Sequence, residues 1–505
     1  MRKTFSCLFL GFLATACSTS TSTEPGGDDG IGDEDQPAPE DDVIDESAGE
    51  DALKVLQGEE PGFVFIVEYA EGADVDQLTD ALAADYDLVV TSRYHDLGGA
   101  AFIAADQWVA EQVRLDTRVI GVTEDRLVQL PPADAIADEI GDFETEAAAS
   151  GEVDDVELAS ETRSTGWRLI GADHAPGTGA GTRVGVIDTG VDRKHPDLKA
   201  AVSTDYGKDC VRRKNKTTYD FNGHGSHVSG IIAAQDNSIG VRGVAPGTRI
   251  VPIRVFNGDG VTSSSILMCG IDYAARKADK IQVVNMSLGA NCGGACAANP
   301  FNRGIRKLVT QRGIVVVVAA GNEGVDANTT EPAFIDEVIT VSAYLDRDGK
   351  VSSKDRYANF SNWGPGVDIG APGVNILSTV PGGKYERLSG TSMAAPFVAG
   401  VAAIIKQTRG GSPTSVWLAL AGASVSSYPG RGGRHPEGLL RMPGTSTSST
   451  CGNAICDDGE DDDNCAADCG CAAVACVGDG PAGCSCAVDC SGDACCSDSD
   501  ICPIM

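Results

Sequence analysis

The sequence predicts an α/β protein, a mostly parallel and doubly wound sheet preceded by a small α+β unit and followed by a disulfide-rich tail. Three observations lead there. Apolar runs of strand length alternate with helical stretches from Trp167 to about Pro443, a rhythm of crossovers that makes neighbouring strands parallel. Ahead of it, Phe63 to Leu130 carries a shorter alternation of its own. Behind it, twelve cysteines fall between Cys451 and Cys502, too dense for a hydrophobic core to do the stabilising.

A chain of 505 residues exceeds what one core serves, so several units are expected. Its net charge is -34, from 39 basic and 73 acidic residues. That balance argues against nucleic acid or anionic lipid as partners and makes calcium the more natural ionic one. The acid is concentrated in Glu24 to Glu60, Asp134 to Glu161 and Asp457 to Asp463, which read as solvated linkers or tails.

Residues 1–16 read as an export signal, with Arg2-Lys3 ahead of the apolar run Cys7 to Ala16. Two cuts before Cys17 stand open. Ala14-Thr15-Ala16 satisfies the small-residue rule and gives an unanchored secreted chain. A lipoprotein-type signal instead leaves Cys17 as a lipidated first residue, which tethers the precursor in a bacterial envelope. Cysteine parity favours the lipid: beyond the signal there are four cysteines in the middle, twelve in the tail, and Cys17 as the odd one. No other apolar run approaches the roughly 20 residues that span a bilayer, so that lipid is the one membrane attachment expected.

Residues 17–60 read as an acidic linker. In 61–130, Phe63 to Val67 is strand-like, Val75, Leu78, Leu82 and Tyr86 fall near helical spacing, and Leu88 to Val90, Ala100 to Ala104 and Leu127 to Leu130 are further strands. Residues 131–163 form a second acidic linker, rich in alanine, with two prolines at its start. In 164–443 the strand candidates are Val184 to Ile187, Ile250 to Val255, Val283 to Met286, Ile314 to Ala319 and Val338 to Val341, and helices follow His224, Thr262 and Ser392. Such sheets carry their chemistry on loops at the strand ends. Residues 444–505 hold a Thr/Ser linker and the Cys-rich tail, which reads in an exported chain as a disulfide framework, with zinc the alternative. Cys292 and Cys296 are expected to bridge a short loop, which leaves Cys210 for Cys269.

Three loop segments carry the chemistry: Val186-Ile187-Asp188-Thr189-Gly190, Asn222-Gly223-His224-Gly225-Ser226-His227 and Gly390-Thr391-Ser392-Met393-Ala394-Ala395-Pro396. A serine hydroxyl is a poor nucleophile at neutral pH and needs a base, and the base needs a carboxylate to orient it. Asp188 at the end of an apolar strand, His224 between glycines and Ser392 at the opening of a helix supply one member each. Taken singly, each is ordinary turn or capping chemistry. In the order Asp, His, Ser they resemble the subtilisin family, and the order excludes an α/β-hydrolase, whose serine comes first in a G-x-S-x-G elbow.

That resemblance covers Trp167 to about Met442 and implies a subtilisin-like serine endopeptidase acting on protein or peptide substrates through an acyl-enzyme. Ala319 to Gly324 resembles the family's oxyanion segment and assigns Asn322 as side-chain donor to the oxyanion. Ser287, Leu288 and Gly289 resemble one wall of the S1 pocket and Ala319 to Gly321 the other, while the edge strand Gly258 to Thr262, with Gly258 and Gly260, would pair with substrate backbone. Thr330 falls near the S1 floor, Glu323 at its rim, and Ser264 where an aromatic often lines S4. Ser226, Ser229 and Phe397 depart from the family's usual residues without removing a catalytic group.

The resemblance also implies calcium. The loop Asn237 to Val241 with Asp197 would offer the Asp197 and Asn237 side chains and the carbonyls of Gln235, Ile239 and Val241, with Glu161 a further candidate. A second site, of the proteinase K type, would use Asp368 with the carbonyls of Asp336 and Val338. Residues 61–130 resemble the family's inhibitory propeptide, which has a ferredoxin-like fold, and the maturation cut is expected in 131–163. The mature enzyme is expected to act as a monomer, secreted or at the cell surface. The rival reading is an adhesion protein on an inactive protease scaffold, with the tail as its working part.

Overall fold

The computed structural model describes residues 48–130 and 160–444, apart from short stretches at 213–217, 293–295, 297–298, 352–354, 427 and 429–432. The export signal, Cys17, most of the second acidic linker and the Cys-rich tail lie outside the described residues.

The N-terminal unit opens with helix α1 (Ala48–Leu56), inside the segment that composition marks as a linker. Strand β1 (Phe63–Glu68), helix α2 (Val75–Tyr86), β2 (Val89–Tyr94), β3 (Gly99–Ala104), helix α3 (Gln107–Arg114) and β4 (Gly121–Glu124) come next. The strands form an antiparallel sheet in the order β2-β3-β1-β4, the ferredoxin-like arrangement. Asp74 and Asp106 cap α2 and α3 by accepting the N–H groups of Gln77 and Val109. Alternation along the strands divides the apolar residues between two faces. Phe65, Val67, Ala100 and Phe102 pack with Leu82, Ala110 and Val113 of the two helices, whereas Ile66, Tyr94 and Ala101 turn to the opposite face and join the core of the large unit. Strand β5 (Leu127–Gln129) leaves this sheet altogether.

The large unit contains helix α4 (Thr165–Leu169), β6 (Arg183–Asp188), β7 (Lys208–Asp209), α5 (His224–Ala233), β8 (Arg249–Arg254), β9 (Val261–Ser263), α6 (Ser264–Arg276), β10 (Val283–Met286) and β11 (Ala290–Asn291). It continues through α7 (Pro300–Thr310), β12 (Val315–Ala319), β13 (Thr330–Glu331), β14 (Ile339–Leu345), β15 (Arg356–Tyr357), β16 (Ile369–Pro372), β17 (Ile376–Val380), β18 (Lys384–Leu388), α8 (Thr391–Arg409), α9 (Pro413–Ala423) and β19 (Gly438–Leu439). The main sheet runs β19-β16-β14-β12-β10-β6-β8-β7, parallel throughout, with β15 antiparallel at β14. Both faces are covered, so its strands are continuous apolar runs. Val315 and Val317 pack with α5 and α8, while Val316 and Val318 pack with α6 and α7.

Strand order reverses at β6, with β8 and β7 on one side and β10 to β19 on the other. A crevice at the carboxyl ends of the strands is expected at such a point, and Asp188 is the last residue of β6. Disulfides join Cys210 to Cys269 and Cys292 to Cys296, the expected pairs.

Candidate active site

Asp188 is fully buried and its carboxylate accepts from the Nδ1–H of His224 at 2.8 and 3.1 Å. This bond leaves Nε2 as the acceptor, the tautomer a general base requires. His224 is the first residue of α5, and the close approach depends on Gly225, where a Cβ would collide with the Gly190 carbonyl and stand 3.1 Å from Asp188 Oδ1. Burial of the ring acts to lower the His224 pKa, but the charge and hydrogen bond of Asp188 and the charge of Asp220 outweigh it, and the net shift is upward from 6.5.

Ser392 is the second residue of α8, buried at 7% exposure. Its Oγ–H donates to the Ser287 carbonyl at 3.2 Å, and the Ser287 hydroxyl donates back to the Ser392 carbonyl at 2.8 Å. That carbonyl is free because Pro396, four residues on, has no N–H to close the helical bond. The proline that ends the Gly390 to Pro396 motif therefore gives Ser287 its place behind the nucleophile.

Asn322 lies just beyond the end of β12. Its Oδ1 accepts from the Thr391 N–H and Oγ–H, each at 2.9 Å, so the side-chain amide can present only its NH2 elsewhere. Thr391 Oγ in turn accepts the Gly321 N–H at 3.1 Å. Asn322, His224 and Ser392 line one cavity of about 210 Å³, with Asn222, Gly223, Asp259, Gly260, Leu388 and Met393 among the other walls.

Gln129 and Leu130 reach into the same cavity from the N-terminal unit. Strand β5 lies antiparallel on β9, Val128 opposite Thr262, and the Leu130 N–H donates to the Gly260 carbonyl at 2.9 Å. The edge strand expected to hold extended peptide thus holds one. Of the other wall residues, Leu288 and Ala319 are buried at 3% exposure each, Gly289 faces Thr330 and Glu331, and Gly258 accepts from the Asn222 amide.

Three positioning residues were not read from the sequence. Thr391 fixes Asn322. Asp220 accepts from the N–H groups of Asn222, Gly223 and Ser226 and from the Thr189 hydroxyl, which shapes the loop before His224. Asn362 accepts from the Glu323 and Val325 N–H groups and donates to the Ala320 carbonyl, Glu323 and Thr330. Thr391 lies inside one of the three loop motifs, whereas Asp220 and Asn362 stand outside every one.

At the first metal candidate, Asp197 is fully buried, accepting from the Asn237 amide at 2.8 Å and from the Val241 N–H and Tyr385 hydroxyl at 2.9 Å each. The N–H groups of Glu161 and Thr162 bond the carbonyls of Ser238 and Gly240, so the start of the large unit is laid along the loop Asn237 to Val241. Glu161 Oε2 is buried there without a hydrogen-bond partner among the described residues, while its Oε1 lies 3.7 Å from Arg163 and 3.8 Å from Arg242. An oxygen-rich loop with an orphaned carboxylate oxygen fits a hard cation. At the second, burial and the nearby Asp336 push Asp368 up to about 7 while its Oδ2 accepts the Thr340 N–H at 2.8 Å. A carboxylate so disfavoured is one a cation would relieve.

The family model described as the subtilase family matches residues 179–421. The chain is 43% identical over 227 residues to a thermophilic serine proteinase of Bacillus sp. (strain AK1), covering 45% of this chain and 52% of that one, so the match spans about half of that relative. It is 40% identical over 230 residues to subtilisin BL of Lederbergia lenta, covering 46% of this chain and 78% of the relative. An alkaline protease of Shouchella clausii is 37% identical over 285 residues, with 55% and 68% covered. Among solved structures, a cold adapted subtilisin-like serine proteinase matches with a TM-score of 0.46 and 31% identity over 53% of this chain and 91% of that one.

Proposed function

The chain belongs to the subtilase family of serine endopeptidases, and from that premise we propose that Ser392 is its nucleophile, His224 the base, Asp188 the orienting acid and Asn322 the side-chain oxyanion donor. Ser392 Oγ attacks the peptide carbonyl while its proton passes to His224 Nε2. The imidazolium, held by Asp188, returns that proton to the leaving amine, and water resolves the acyl-enzyme by the same route. The Asn322 NH2 and the Ser392 N–H, at the N-terminus of α8, stabilise the tetrahedral oxygen. The observation that carries this reading is the Asp188–His224 bond at 2.8 Å beside a cavity that Ser392 and Asn322 share. A fluorophosphonate should label Ser392 of the mature enzyme and abolish peptide hydrolysis. Absence of label on Ser392 together with absence of peptide hydrolysis would leave the inactive-scaffold reading standing.

Residues 61–130 act as the inhibitor, supported by Gln129 and Leu130 in the cavity. The maturing cut is placed in 131–163, where N-terminal sequencing of the secreted form reads it. The basic and apolar leader supports export, and Cys17 supports a lipid on the precursor alone. No described helix is long and apolar enough to cross a membrane.

Because His224 is held above its ordinary 6.5, its neutral, base-competent form appears only as pH climbs through a raised pKa. The acid limb of kcat/KM should have its midpoint above 6.5, with activity lost as pH falls; a midpoint below that value would contradict the Asp188 coupling. For the S1 pocket, Glu323 at the rim implies that medium apolar and aromatic P1 side chains are accepted and acidic ones refused. A peptide-library profile dominated by Asp or Glu at P1 would overturn the pocket assignment.

Subtilases generally carry structural calcium, and here Asp197, Asn237, Glu161 and the carbonyls of Gln235, Ile239 and Val241 would hold it. Calcium at a hundredfold excess over its dissociation constant stabilises the folded unit by about 2.7 kcal/mol. A chelator should therefore shorten the thermal half-life of the wild type and act less on Asp197→Ala. Equal half-lives in all four conditions would remove the first site.

A further inference from the structure

Helix α1 has no part in the core that Phe65, Leu82, Phe102 and Val113 form under α2 and α3; it packs against β1 and β2 from the face that meets the large unit. Its buried apolar side chains are Ala52 and Leu53, and Leu53, at 2% exposure, lies in the seam cluster where Ile66, Tyr94 and Ala101 of the N-terminal sheet meet Cys210 and Val211 of the large unit. Gly49, in the first turn of α1, lies so close to this edge that a Cβ would stand 2.5 Å from the Cys210 carbonyl oxygen and 3.0 Å from that of Val211. Glu50 pairs with Arg212 at 3.3 Å. The surface it meets is rigid. Cys210 is tied to α6 by its disulfide, Asp209 accepts the Val211 and Arg212 N–H groups at 2.9 Å each, and Asp209 also pairs with the buried Arg254 at 2.8 Å.

Charge points the same way. In a chain of net charge -34, Arg212-Arg213-Lys214-Asn215-Lys216 is a rare basic run in the sequence, while Glu40-Asp41-Asp42 and Asp45-Glu46 precede α1 in the sequence and Glu50-Asp51 fall in its first turn. We propose that the edge Cys210 to Arg212 is an exosite on the catalytic unit, and that its partner is an acidic-led amphipathic helix, α1 of the chain's own pro-segment. This anchor is separate from the β5–β9 pairing in the cleft. It rests on reading 61–130 as the inhibitor and extends that inhibitor back to residue 48. Arg212 also lies over Phe221, 5.6 Å from the ring centre, and Phe221 adjoins Asn222 of the cavity wall. The exosite is therefore continuous with the lip of the active site.

The test reads binding without catalysis. A full-length Ser392→Ala precursor with one introduced cleavage sequence in the 131–163 linker is nicked by an added specific protease, and dissociation of the pro-segment is timed by gel filtration after dilution. Gly49→Val, whose side chain meets the Cys210 carbonyl, should release the pro-segment about tenfold faster, and Glu50→Lys, at a pair that is partly exposed, about threefold faster. Exchange of the charges in Glu50→Arg with Arg212→Glu should restore most of the wild-type rate. Added salt should speed release of the wild type more than that of Glu50→Lys. Release rates within twofold of wild type for both single variants, or no recovery in the exchanged pair, would overturn the exosite. Fluorophosphonate labelling of the wild type reports separately on the catalytic reading.

Discussion

The Ser392→Ala precursor is expected to accumulate uncut and to hydrolyse test peptides about 10⁶-fold more slowly than the mature wild type, the loss known for removal of the nucleophile in a subtilisin. The size reflects the way the parts act as one unit. Asp188 and His224 have no function in the acyl step once the hydroxyl they activate is gone. The fold should survive, because the Ser287 hydroxyl bonds the Ser392 main-chain carbonyl rather than its side chain. Purified precursor, free of other proteases, is followed by gel and peptide assay. Maturation of Ser392→Ala at the wild-type rate would exclude self-processing.

Asn322→Ala should lower kcat by about 10²–10³-fold with little change in KM, the cost known for losing this donor in a subtilisin. The split between the two constants is the informative part. The amide acts on charge that appears only in the transition state, so ground-state binding is spared. Here Thr391 holds the Asn322 oxygen with two bonds of 2.9 Å. Thr391→Val removes one of them and should give a smaller loss in kcat with the same unchanged KM. A rise in KM in either variant would assign these residues to substrate binding instead.

The reacting groups were legible because three short segments, each ordinary alone, occur together in the order Asp, His, Ser that the subtilisin family shows. Asp188 ends a strand that its own apolar run announces, and His224 and Ser392 each open a helix behind glycine. The residues that position them were not legible, because their partners are remote in sequence. Asp220 reaches back to Thr189, and Asn362 reaches the Ala320 to Val325 turn across some forty positions. Helix α1 escaped for a related reason. Two buried apolar side chains, Ala52 and Leu53, make too weak a period to read as a helix, and the cluster that buries Leu53 is assembled from both units. Strand β5 was expected as a strand, but a strand pattern does not name its partner, and β9 lies in the large unit.

The pairing of β5 with β9 has a chemical consequence set by the two residues after Leu130, which are Pro131 and Pro132. If the Leu130 carbonyl is the one offered to Ser392, the departing nitrogen belongs to Pro131; if it is the carbonyl of the next residue, the departing nitrogen belongs to Pro132. In both registers the amine to be expelled is a ring nitrogen. It lacks the hydrogen of an ordinary amide, its Cδ fills the space where that hydrogen would lie, and it restricts the residue before it. The proposed inhibitor thus makes a substrate's backbone bonds at β9 while the two residues that follow it withhold a competent leaving group, so it would not be consumed by the enzyme it blocks.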